Sequence, residues 1–111
     1  MEPPPAVLVN GIPVPLEVDP TIEEQGTFEW SPDHAGVKLR GLSTDLEWST
    51  LLHELLHAIE EFSGIDLSEE DVRALEYGLW GLFRNNPDLM LRWALVAAGR
   101  APTTGPTDAP H

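Results

Sequence analysis

The sequence predicts an α+β fold: a small antiparallel sheet of about three to four short strands, packed on one long helix and the helix after it, with a short third C-terminal helix. Three observations carry that prediction. Asn10-Gly11 lies between two apolar runs, the strand-like runs all precede the helical ones, and Thr44 stands three residues before Glu47 at the start of a long stretch of helical periodicity. At 111 residues the chain suits a single modest core, expected over 6–100 between Pro-, Thr- and Gly-rich tails at 1–5 and 101–111.

Each element has a local cause. In "AVLVNGIPVPLEV", Ala6–Val18, Asn-Gly accepts the positive φ of a type I′ hairpin turn. Pro13 and Pro15 cannot donate ladder hydrogen bonds, so the second arm is expected at an edge or only partly paired. "TFEW", Thr27–Trp30, and "GVKLR", Gly36–Arg40, are further strands around the turn "SPDHAG". Thr44 and Glu47 form a capping box that opens a helix to Phe62, and Gly64 closes it. Ser68 with Asp71 caps a second helix running to about Arg84, with Val72, Leu75, Leu79, Leu82 and Phe83 as its apolar face. Asn86 and Pro87 open the third, which Gly99 and Pro102 close.

A net charge of −13 argues against phosphate backbones as partners, so no nucleic acid is expected. With no cysteine, neither disulfides nor thiolate metal sites are available. No run approaches a membrane span, and "MEPPP" does not read as a secretory leader. A cytoplasmic protein without membrane association is the expectation.

The chemistry concentrates in "TLLHELLHAIEEF", which holds His53, Glu54 and His57 as H-E-x-x-H. Four residues apart on a helix, the imidazoles lie side by side and can share one Zn2+, with Glu54 as general base toward an attacking water. Random placement of this chain's histidines and glutamates would give about 0.015 such motifs. Counting about 100° per residue from Leu52, the apolar stripe runs from Trp48 and Phe62 to Leu56; the histidines fall at its edge and Glu54 leans toward solvent.

Two histidines leave a tetrahedral zinc one protein ligand short. Downstream carboxylates include Glu60, Glu61, Asp66, Glu69, Glu70, Asp71 and Glu76. Glu76 falls inside the apolar arc of the second helix, where a carboxylate needs a partner. An antiparallel helical hairpin also brings it level with His53. Glu76 is therefore the expected third ligand and Glu70 the alternative, while Glu69 and Asp71 read as first-turn charges favoured by the helix dipole.

With these residues in view, "LLHELLHAI" and its flanks over about residues 27–90 resemble the small metallopeptidases of bacteriophages and prophages, gluzincin-like in a minimal domain. The resemblance implies zinc, the roles above for His53, Glu54 and His57, a peptide or protein substrate, and a bacterial or phage-infected cytoplasm. It also favours Glu70, against the helical-face argument for Glu76. His34 and Tyr77 are the side chains with the chemistry to polarise a carbonyl. "GVKLR" is expected to accept a peptide as an added strand. The competing readings are a metal-binding assembly or interaction protein without turnover, and an acidic binding protein, even a DNA mimic, carrying a chance motif.

Overall fold

The computed structural model describes residues 5–100. The tails expected at 1–5 and 101–111 fall outside it except for Pro5, whose carbonyl accepts from the Leu16 amide at 2.9 Å. The chain divides between Trp80 and Gly81 into two compact units.

The first unit begins with four strands: β1 (Ala6–Val9), β2 (Ile12–Val18), β3 (Gly26–Trp30) and β4 (Ala35–Leu39), in the sheet order β1-β2-β4-β3. β1 and β2 form the expected hairpin, with Asn10 at φ 52° and Gly11 at φ 78°, both in the left-handed region a type I′ turn requires. The sheet is mixed. β3 and β4 are antiparallel, but β2 and β4 run parallel through Leu16↔Val37 to Val18↔Leu39.

β2 tolerates two prolines by dividing its length. Its first half pairs β1, where Pro13 and Pro15 alternate with the bonding residues, and its pairing with β4 begins only at Leu16. The expectation of partial pairing holds. β4 itself is paired on both sides, so "GVKLR" is an interior strand with no edge for a peptide to extend; the free edges belong to β1 and β3.

α1 (Asp45–Ser63) starts at the predicted capping box and ends at Gly64, φ 71°. Its Leu51 and Ala58 join Val9, Val14, Val37 and Leu39 in one buried cluster, with Leu55, Phe28 and Phe62 packed against it. The Phe62 ring meets Trp30 edge-on at 4.7 Å and Phe28 at 6.4 Å. α2 (Glu69–Asn85) is capped by Ser68 and Asp71 in exchange: the Asp71 amide donates to Ser68 Oγ, and the Ser68 amide donates to Asp71 Oδ2. Its single buried residue is Val72.

Within the first unit α2 lies antiparallel to α1. Trp80 Nε1 donates to Asp45 Oδ1 at 3.1 Å, and Ser49 Oγ donates to Glu76 Oε2. In the second unit α3 (Pro87–Ala97) opens on Pro87 with Asn86 as its N-cap residue, as predicted, but the Asn86 side chain makes no cap hydrogen bond; its amide donates back to the Leu82 carbonyl. No residue of α3 is buried. No described helix is long and apolar enough to cross a membrane.

Candidate metal centre

α1 presents two faces to two neighbours, and the site lies between them. At about 100° per residue from Leu52, Leu51, Leu55, Ala58 and Phe62 fall near 240–300° and meet the sheet. Asp45, Ser49, His53 and His57 fall near 20–140°, toward α2. Glu54, near 200°, borders the sheet-facing arc.

This corrects the expectation that Glu54 leans toward solvent: it is only 8% exposed. Trp48 and Ile59, placed in the core stripe by apolar counting, are the exposed residues instead. A helix with two contact faces spreads its apolar residues around more of its circumference, and averaging them shifts the apparent core direction.

The imidazoles lie 5.0 Å apart, centroid to centroid. Each is held from behind. His53 Nδ1 faces Glu76 Oε1 at 2.8 Å, and His57 Nδ1 faces Glu60 Oε1 at 3.2 Å. Each carboxylate is in turn anchored: Glu76 accepts from Ser49 Oγ, and Glu60 accepts from the Leu67 amide at 2.7 Å. The amide and His57 together hold the Glu60 carboxyl below its ordinary pKa. With a proton on each Nδ1, both Nε2 lone pairs are left for a ligand.

Those two Nε2 atoms converge on one carboxylate. Glu69 Oε1 lies 2.7 Å from His53 Nε2, and Glu69 Oε2 lies 3.2 Å from His57 Nε2. His53, His57 and Glu69 offer ligand atoms all within 4.8 Å of one another, a group able to hold a metal ion. Tetrahedral zinc with bonds of about 2.0–2.1 Å spaces its ligand atoms roughly 3.3 Å apart, inside the 4.8 Å limit within which the three residues' ligand atoms lie.

The carboxylate that the fold brings to both Nε2 atoms is a different one from those expected. Glu76 occupies the far nitrogen of His53, Glu70 is exposed and outside the cluster, and Glu69 sits where a third ligand would. The helical wheel contained the signal. Glu69 and Glu76 are seven residues apart and only about 20° apart around α2, so a face that brings one to His53 brings both. Reading Glu69 only as a dipole-favoured first-turn charge hid that.

Glu54 Cγ packs near Gly26, where an added Cβ would come within 2.8 Å of Thr50 Cγ2, 2.9 Å of Leu39 Cδ2 and 3.3 Å of Glu54 Cγ. Burial pushes the Glu54 carboxyl above its ordinary pKa, and the two histidines pull it partly back. It opens with His57 into a groove of about 710 Å³, bounded on the sheet side by Thr27 and Phe28 of β3. His34 lies elsewhere, lining a separate cavity with Pro15 and Lys38, and Tyr77 is 80% exposed and outside the histidine network. Neither is brought to the site as a carbonyl-polarising group.

Comparison with protein families, with curated proteins and with solved structures returns no match to this chain. The site is read from its own chemistry.

Proposed function

We propose that this protein is a zinc-dependent metallopeptidase with His53, His57 and Glu69 as metal ligands and Glu54 as general base. The observation that carries the reading is the convergence of both Nε2 atoms on Glu69 while both Nδ1 atoms are engaged by anchored carboxylates. Two imidazoles and a carboxylate with an open fourth position form the donor set of a catalytic zinc site. Bound zinc would supply a Lewis acid that polarises a carbonyl and lowers the pKa of water toward neutrality.

The protein's own groups do the rest. Glu76 and Glu60 hold the imidazoles in one tautomer and orientation. Glu54, desolvated against β3 and open to the groove, takes the proton of the attacking water and delivers it to the leaving amine. A raised pKa suits it to hold that proton between the two transfers. The backbone of β3, a sheet edge along the groove, offers the substrate chain hydrogen bonds.

Metal analysis and peptide hydrolysis on three proteins test the reading. Wild type is expected to retain stoichiometric zinc and cleave; Glu69→Ala to lose the metal; Glu54→Gln to keep the metal and lose cleavage. Zinc content unchanged in Glu69→Ala would remove the ligand assignment. The missing contribution of His34 and Tyr77 keeps a second reading in play, a metal-binding protein without turnover. Zinc-loaded wild type that hydrolyses no peptide would favour it.

A further inference from the structure

The groove beside Glu54 carries two carboxylates, Glu61 and Asp66, that the proposed catalysis does not use. Four carboxylates line it, from Glu54, Glu60, Glu61 and Asp66, and no lysine or arginine does. Glu60 is engaged by His57 and the Leu67 amide. Glu61 and Asp66 make no hydrogen bond or ion pair with any described residue. Glu54 marks the same groove as the side of approach: 8% exposed, it accepts no hydrogen bond from a described residue and opens into it. No buried side-chain oxygen of the described residues lacks a partner, so the Glu54 carboxylate is met from the groove, the side from which a cationic group can come.

Position gives the second half of the argument. Glu61 lies one helical turn beyond His57, about 6 Å along α1, and Asp66 stands in the connection that follows the helix. An extended lysine or arginine side chain spans about the same distance. A chain lying along β3 with its scissile bond at the histidines would bring such a side chain between the two free carboxylates. A neutral or acidic side chain there would meet only negative charge.

We propose that the groove selects a lysine or arginine next to the bond that is cut, with Glu61 and Asp66 as the specificity-determining residues. This rests on the peptidase reading, and its test separates the two. Two fluorescent hexapeptides, identical except for a central lysine or its uncharged isostere norleucine, are titrated into zinc-loaded wild type and into the Glu61→Gln/Asp66→Asn double variant. Both substituted residues are exposed, so the core is untouched. Wild type is expected to bind the lysine peptide about fivefold to tenfold tighter, less so in high salt, and the double variant to lose most of that ratio. Cut sites mapped by mass spectrometry on a mixed peptide pool should fall beside lysine or arginine.

Equal or undetectable binding of the two peptides by wild type, or a preference surviving in the double variant, overturns the proposal. Cuts scattered without regard to cations overturn it too, while sustaining the peptidase reading. A lysine preference in binding without cleavage of any peptide upholds the cationic groove and removes the peptidase reading.

Discussion

The two faces of α1 are built from opposite materials. Toward the sheet it presents Leu51, Leu55, Ala58 and Phe62, closing on Val14, Val37 and Leu39. Toward α2 the contacts are hydrogen bonds and carboxylate–histidine pairs from Asp45 to His57, with Leu56 the buried apolar residue within that arc. The first face is non-directional and its strength follows buried area. The second is directional, and its groups gain little net free energy from one another. The sheet face therefore sets whether the domain folds, and the α2 face sets what the folded domain can hold.

That division can be broken at either side. Leu51→Ala, on the sheet face, is expected to cost about 3 kcal/mol in chemical denaturation, a large part of the stability of so small a domain. On the other face Glu69→Gln is expected to weaken zinc binding by at least about 100-fold, read by competition with a chelator, while the metal-free unfolding midpoint stays close to wild type. Should Glu69→Gln unfold the metal-free protein as Leu51→Ala does, the two faces would not be separable in this way.

Smaller effects sharpen the contrast. Glu76→Gln leaves the ligands in place and removes a charge behind His53, so zinc affinity should fall only about tenfold. Thr44→Ala removes the N-cap and should cost about 1 kcal/mol with no change in zinc affinity. The smallest concerns Glu47, whose carboxyl is held below its ordinary pKa by the Ser43 and Thr44 amides. A depressed folded pKa means stability present above the unfolded value and lost as pH falls through the folded one. The Glu47 carbon resonance should titrate below the ordinary glutamate value of 4.5, and move part of the way back in Ser43→Pro, which lacks one of the two donor amides.

What was legible in the sequence was local. Asn10-Gly11, the Thr44–Glu47 box, Gly64, Ser68 with Asp71 and Pro87 each act within a few residues, and the turn, caps and helix starts follow them. The parallel pairing of β2 with β4 depends on residues some twenty positions apart with no turn to announce it. At the site the motif residues fall together as the helix dictates. Glu76 was rightly read as a carboxylate in need of a partner, and the partner is the back of His53. Glu69, which the fold groups with the two histidines, was passed over because its first-turn position had a sufficient local explanation. Glu54 was misplaced because one wheel was asked to describe two contact faces.

Gly26 has a consequence for how reach is controlled at this site. The residue with no side chain lies on the same strand that walls the groove, and Glu54 rests against it. The depth of Glu54 is thus gauged from β3 as well as from its own helix. On the proposed reading, a chain aligned on that strand would take its depth from the same ruler. A single methyl at Gly26 would move the zero of that scale.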